Sequence, residues 1–332
     1  MHSRNYSTQR YPNRSVRRRP PKRKRSPHLI VLLFLLAVLC LGAYTILATG
    51  NNAPAIVTGI TPAPTTPAHE PEESEDEDED EPEVAPTAHN IPLTQTHTTN
   101  LTNTGYLALV NHQHAAPPTQ HHSQMAAAWP TVAVSRIDGM YLHESALVAV
   151  AEMFASARDA DAGAFFLSSG YRDFYRQAYL YGDGSNGGYV MPPGHSEHQT
   201  GLAADILVVG IGMHELSNTP EGRWLAANAY RYGLILRYPE GATHITGVNY
   251  EPWHFRYVGP VHSYYIMHNG LVLEEYIQLV RERGHFSFEK NGQTHHIFHQ
   301  TPEQGMIYVP YGQMYTVSAD NKGGYIVWTT QS

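Results

Sequence analysis

Two short motifs hold the side chains best suited to chemistry. His198 and Asp205 lie seven positions apart, and Glu251 lies three residues before His254. Two imidazoles and one carboxylate are a ligand set that zinc takes in hydrolases, where the fourth coordination position stays open for water. The remaining carboxylate, Glu251, is then free to accept a proton from that water. The two motifs together predict a zinc hydrolase site.

One arginine is a candidate for stabilising charge that develops on a substrate. Arg172 follows an apolar run at 164–168, so it is expected at the end of a strand. Its planar fork could hold an oxyanion or a substrate carboxylate. Gln177 lies about one helical turn further on and could contact a peptide. Each of these side chains alone would more often be structural, so the prediction depends on their conjunction.

Hydrophobic periodicity predicts the elements that position these residues. Helices are predicted over 142–157, from an Asp173 cap to 181, from Pro220 to Gly233, and over 271–283. Strands are predicted over 106–110, where order should begin, and over 164–168, 202–209, 234–236 and 253–258. Asp205 then lies on a strand, with His198 on the loop before it. In extended chain Glu251 and His254 would point to opposite sides, so a bend between them is required.

The C-terminal residues 285–332 have a different pattern from the preceding catalytic domain, which is predicted over 104–284. Strands at 286–290 and 294–299 flank Asn291-Gly292, a strong signal for a type I′ hairpin. Further strands are predicted at 306–309, 314–317 and 325–329. These residues form a small all-β appendage with no evident chemistry.

The N-terminal third of the chain is strongly asymmetric in charge. Residues 1–28 carry ten Lys or Arg and no acid, 29–49 carry no charge, and all 30 Asp and Glu follow. An apolar run of this length fits a membrane anchor, and the basic flank predicts a cytoplasmic tail with the remainder outside. A cleavable signal peptide is the alternative. Residues 50–103, rich in Pro, Thr and acids, predict a disordered linker.

The chemical motifs resemble those of the zinc D-alanyl-D-alanine carboxypeptidases of the peptidase M15 family, VanY type. The resemblance rests on Ser-Gly-Tyr-Arg at 169–172, Pro-Gly-His-Ser-Glu-His-Gln-Thr-Gly-Leu-Ala-Ala-Asp at 193–205, and the segments 221–224, 232–239 and 251–254. It implies Zn²⁺ held by His198, Asp205 and His254, with Glu251 as the base and Arg172 on the reacting carbonyl. It also implies that Gln177 and Ser196 line the substrate cleft.

The same resemblance implies an α+β fold, a small antiparallel sheet with flanking helices. The implied function is a membrane-anchored extracellular metallocarboxypeptidase that removes the C-terminal D-alanine from peptidoglycan stem peptides or lipid-linked precursors. Such trimming would affect glycopeptide resistance or routine wall maturation. An L,D-carboxypeptidase acting on tetrapeptide stems is one alternative, and a non-catalytic wall-binding module with a structural zinc is another. No nucleic-acid partner is expected.

Overall fold

The computed structural model describes residues 91–117, 125–127, 140–185 and 188–331. The predicted cytoplasmic tail, the membrane anchor and most of the linker lie outside these ranges. Within them, no helix has the length and apolar character needed to cross a bilayer.

The described chain alternates short strands and helices. The strands are β1 (Leu93–His97), β2 (Met125–Ala127), β3 (Tyr141–His143), β4 (Phe165–Ser169), β5 (Ala203–Val208), β6 (Leu234–Leu236), β7 (His254–Tyr257), β8 (His285–Lys290), β9 (Gln293–Gln300), β10 (Met306–Pro310), β11 (Tyr315–Ala319) and β12 (Tyr325–Gln331). The α-helices are α1 (Glu144–Asp159), α2 (Phe174–Tyr181), α3 (Pro220–Asn228), α4 (Thr243–Thr246), α5 (Pro260–His268) and α6 (Leu273–Arg283). The sequence predicted neither α4 nor α5.

The sheet that carries the candidate site has the strand order β4-β5-β7-β6, with every pair antiparallel. Helix α1 buries an apolar face, and this face and the sheet form one core. Its residues include Val150, Met153, Phe154, Leu167, Leu202, Ile206 and Phe255. The three-to-four spacing in α1 and the apolar β5 therefore have the same cause, burial at one interface. The predicted α+β fold is confirmed.

The segment around Leu107 is not the strand that its apolar sequence predicts. Leu107 and Leu109 are buried, but the chain there is a turn followed by irregular backbone. The Leu107 N–H donates to Ser318 Oγ at 2.9 Å, and Arg256 Nη2 donates to the carbonyl oxygen of Ala108 at 2.9 Å. Side chains thus form hydrogen bonds with backbone groups that a neighbouring strand would otherwise bind. Described structure also begins earlier than expected, because β1 pairs with β10.

The C-terminal strands form a sheet of order β11-β12-β9-β8. The β8–β9 hairpin turns at Asn291 and Gly292, which both have positive φ (52° and 75°), as a type I′ turn requires. This sheet shares a buried apolar cluster with α6, which includes Tyr276, Ile277, Val280, Ile297, Ile326 and Trp328. The boundary between 284 and 285 stays a prediction.

A buried carboxylate joins α6 to the C-terminal sheet. Asp320 is fully buried and accepts hydrogen bonds from Arg281 Nη1 and from the backbone N–H groups of Lys322 (2.7 Å) and Gly324 (2.9 Å). His299 Nε2 lies 3.0 Å from Asp320 Oδ2. Burial would raise the pKa of Asp320, but these hydrogen bonds outweigh it and hold the pKa below its ordinary value.

Replacing Asp320 with Asn should destabilise the full chain by roughly 3–5 kcal/mol near neutral pH, because the buried network loses its negative charge and one of its two acceptor oxygens. The folded-state pKa lies below that of an unfolded aspartate, about 3.9. The stabilisation is therefore complete above about pH 4 and is lost as the pH falls toward the folded-state value. Urea unfolding of wild type and D320N should show a penalty that shrinks from pH 5 to pH 3. The exposed control D159N should change little, and a penalty that grows below pH 4 would contradict this account.

Candidate metal centre and active site

Strand pairing places two of the predicted ligands side by side. Asp205 on β5 is directly opposite His254, the first residue of β7. Directly opposite residues of an antiparallel pair project from the same face of the sheet. The distance from His254 Nδ1 to Asp205 Oδ1 is 3.0 Å.

The predicted bend lies between Glu251 and His254. The His254 N–H donates to the Glu251 carbonyl oxygen at 3.1 Å, and the two intervening residues form a turn. The turn brings the Glu251 carboxylate back toward the strand, with Oε2 at 3.6 Å from His254 Nδ1. The four-residue turn 251–254 is therefore the bend that the sequence required for the Glu251 and His254 side chains to point to one place.

His198 reaches the same place from a short 3₁₀ helix, Glu197–Thr200, that precedes β5. Gly201 ends this helix in the left-handed region (φ 74°), where a glycine has no Cβ penalty, and lets the chain turn into β5. His198 Nδ1 lies 2.6 Å from the Gly170 carbonyl oxygen, to which the neutral ring donates. Its Nε2 then faces Asp205 Oδ1 at 3.4 Å.

These three side chains fit a divalent metal ion. One ligand atom from each of His198, Asp205 and His254 lies within 4.8 Å of the others, and all three residues are buried. His198 Nε2 is buried without a hydrogen-bond partner, which is expected of a nitrogen that binds a metal. Burial, and then nearby Arg172, lower the pKa of His198 to about 4, which keeps the ring in the neutral form that binds metals.

The proton on His254 would compete with a metal. Burial lowers the pKa of His254, but the hydrogen bond to Asp205 and the nearby carboxylates of Glu197 and Glu251 outweigh it and raise the pKa to about 9. Metal binding at such a nitrogen releases a proton. Burial raises the pKa of Glu251 to about 8, close to neutral pH, as suits a group that must both accept and return a proton.

The other predicted site residues surround the same cleft. Arg172 follows β4, and its Nη2 lies 3.9 Å from Asp205 Oδ2. Gln177 on α2 donates from Nε2 to the Met191 carbonyl oxygen at 2.7 Å, and its Oε1 is buried without a hydrogen-bond partner. Ser196 makes no side-chain cap to the 3₁₀ helix. All seven predicted residues line one cleft of about 300 Å³.

The cleft also contains residues that sequence reasoning did not select. These are Leu180, Tyr189, Val190, Met191, Met213, His214, Tyr238 and Trp253. The rings of Tyr189, His214 and Trp253 pack edge-on or tilted with centroids 4.8–6.2 Å apart. Tyr189 belongs to the glycine-rich segment 182–194, and no sequence spacing pattern predicted that it lines the cleft.

Comparison with known proteins places the chain in a family. A model of the family "VanY: D-alanyl-D-alanine carboxypeptidase" matches residues 139–260. The chain is 39% identical over 189 residues to a D-alanyl-D-alanine carboxypeptidase of Enterococcus faecium, covering 57% of this chain and 61% of that protein. It is 38% identical over 189 residues to the Bacillus subtilis (strain 168) protein YodJ, covering 53% of this chain and 68% of that protein. This chain belongs to the VanY carboxypeptidase family.

A solved structure extends the match for this VanY-family chain. The vancomycin resistance D,D-dipeptidase VanXYg, in complex with a D-Ala-D-Ala phosphinate analogue, aligns with a TM-score of 0.61 and 26% identity. The alignment covers 73% of this chain and 99% of that chain. By contrast, the chain spans less than two thirds of the length of the E. faecium relative. The resemblance drawn from the motifs is confirmed at the level of the family.

Removal of one predicted ligand should abolish metal binding. The full-length wild type should bind about one Zn²⁺ per chain, as three protein ligands with an open position would. His198→Ala should bind close to none, and saturating Zn²⁺ should raise the melting temperature of the wild type only. Metal analysis after gel filtration, with thermal unfolding, measures both quantities.

His195→Ala is the matched control, three positions earlier in the same motif. Its Nδ1 lies 2.8 Å from the Asn111 carbonyl oxygen, away from the ligand triad. It should retain the metal, and retention by H198A as well would refute the site.

Proposed function

We propose that this chain is a membrane-anchored, extracellular zinc D,D-carboxypeptidase that removes the C-terminal D-alanine from peptidoglycan stem peptides. The observation that supports it most is the convergence of a buried carboxylate, Glu251, on a two-histidine, one-aspartate group in a single cleft. A structural metal site would have no need of that carboxylate.

The ligand set favours zinc. His198, Asp205 and His254 would hold the ion, since nitrogen and carboxylate ligands in a three-residue set suit Zn²⁺. When bound, zinc would polarise a carbonyl and lower the pKa of water.

The residues around the ligands have complementary roles. Glu251 accepts a proton from the attacking water and returns it to the nitrogen of the departing D-alanine, so the carboxylate is regenerated in each cycle. Arg172 carries a permanent positive charge at the cleft and balances negative charge on the reacting carbonyl or on the substrate carboxylate.

Two polar side chains are placed to orient a peptide. Gln177 presents a buried Oε1 that has no hydrogen-bond partner and can accept an N–H from the substrate. Ser196 lines the same cleft. Orientation of this kind lowers the barrier by holding the scissile bond against the catalytic groups.

The relatives favour the D,D reaction over the alternatives. The E. faecium relative is described as a D-alanyl-D-alanine carboxypeptidase, and VanXYg as a D,D-dipeptidase bound to a phosphinate analogue. A phosphinate is tetrahedral, as is the carbon of an amide under attack by water. A cleft of this family is therefore expected to accept a peptide ending in D-Ala-D-Ala.

Replacing Glu251 with Gln should lower kcat by roughly 10²–10⁴-fold, since the amide cannot accept the proton. The Zn²⁺ content should be unchanged, because the ligand triad is intact. Release of D-alanine from a pentapeptide stem, measured by mass spectrometry, tests this. Glu240→Gln, at an exposed glutamate that does not line the cleft, is the control and should keep full activity. Full activity of E251Q would contradict the assignment.

The choice of substrate is tested with the same wild-type protein. Faster release from the pentapeptide than from the tetrapeptide is expected, and the reverse would favour the L,D alternative. No release from either, with zinc bound, would favour a wall-binding module.

The membrane location is supported by residues 1–49, in which a basic flank precedes an uncharged apolar run. The full chain should sediment with membranes and be cleaved by protease added to intact protoplasts. A chain lacking residues 1–49 should remain soluble inside the cell. Protection of the full chain from external protease would reject an extracellular catalytic domain, and release of a shortened chain into the medium would favour a cleaved signal.

A further inference from the structure

A buried carboxylate beside the ligand motif has no part in the chemistry described so far. Glu197 immediately precedes His198, and its side chain has no exposed surface. Its Oε1 accepts a hydrogen bond from Arg237 Nε at 2.7 Å and lies 2.8 Å from Arg256 Nη1. The two guanidinium groups therefore fix one oxygen of this carboxylate.

Both arginines are themselves anchored. Arg237 donates from Nη1 and Nη2 to the Glu274 carboxylate at 2.8 and 2.6 Å. Arg256 donates from Nη2 to the carbonyl oxygens of Tyr106 and Ala108, at 3.0 and 2.9 Å. Neither arginine has exposed surface, so the Glu197 carboxylate is held in one orientation.

The second oxygen of Glu197 points to a predicted metal ligand. Glu197 Oε2 lies 3.6 Å from His254 Nε2, and both atoms are buried with no hydrogen-bond partner within 3.5 Å. The opposite nitrogen, His254 Nδ1, is the one that faces Asp205. The His254 imidazole thus lies between Asp205, which is a predicted ligand, and Glu197, which is not.

We propose that Glu197 is a positioning residue that holds His254 as the Nε2–H tautomer, so that the Nδ1 lone pair faces the metal. The inference rests on the proposed function, because it concerns the same metal site. A histidine ligand commonly donates its second ring N–H to a carboxylate, which fixes the tautomer and the ring orientation. Such a role explains why a costly buried charge network adjoins the site, since buried ion pairs by themselves add little stability.

The variant Glu197→Gln changes one atom type and keeps the shape of the side chain. Arg237 Nε donates to Oε1 and the Arg256 guanidinium lies 2.8 Å from it, so the single amide oxygen must stay with these two positive groups. The amide NH₂ would then face His254 Nε2 and would favour the Nδ1–H tautomer, whose Nδ1 cannot bind a metal. The expected result is a Zn²⁺ dissociation constant raised roughly 10- to 100-fold, measured by competition with a chromogenic chelator.

Glu274→Gln is the matched control. It makes the same substitution on the other carboxylate of Arg237, but Glu274 does not contact His254. It should lower the melting temperature without changing the Zn²⁺ dissociation constant. Equal weakening of zinc binding in E197Q and E274Q would show a merely structural role and would overturn the proposal.

A second measurement reads the tautomer in the wild type directly. Imidazole ¹⁵N–¹H correlation spectra of the metal-free full chain, recorded above pH 9 so that the ring is neutral and assigned with His254→Asn, should show His254 protonated at Nε2. Protonation at Nδ1 alone would overturn the proposal. Failure of the proposed function would look different, because the wild type would then bind no Zn²⁺ or release no D-alanine whatever its tautomer.

Discussion

The pairing of Asp205 with His254 across β5 and β7 is the contact on which the site depends. In this register the two side chains project from one face, and His198 reaches them from the turn that leads into β5. A slip of one residue in the ladder would send Asp205 to the opposite face of the sheet. The apolar neighbours of Asp205 on β5 are buried against α1, so a slip would also expose core residues. Core packing and ligand placement therefore require the same register.

Burial gives the site its electrostatic character. Removal from water favours the neutral forms of His198 and Glu251, and the specific neighbours then determine which groups keep a charge. Arg172 supplies a permanent positive charge at the cleft. The Glu197 carboxylate, paired with two arginines, has its pKa held well below the ordinary value although burial opposes this. Glu251 and Glu197 are the same residue type, and their environments alone give the first a raised pKa and the second a lowered one.

The sequence could predict which side chains converge because they belong to local motifs. His198 and Asp205 are joined by one turn, and the bend before His254 follows from the need for two side chains to meet. The helices α1 and α2 followed from periodicity and from the Asp173 cap, which accepts a hydrogen bond from the Arg176 N–H.

What the sequence could not predict depends on distant contacts. The strand expected at 106–110 failed because its backbone is satisfied by Ser318 and Arg256, which are 148 or more positions away. Sequence reasoning assigned Glu197 no role beyond its place in the motif at 193–205, because Arg237 and Arg256, which lie beside it, are distant along the chain. The packing of α6 against the C-terminal sheet is also a tertiary contact, so no periodicity could reveal that they share a core.

Anomalous diffraction at the zinc edge from crystals of the metal-loaded protein is the most direct test of the central claim. The account predicts one peak about 2.0–2.2 Å from His198 Nε2, an Asp205 carboxylate oxygen and His254 Nδ1, with a further position open to the cleft beside Glu251. A peak elsewhere, or a fourth protein ligand that closes the site, would contradict it.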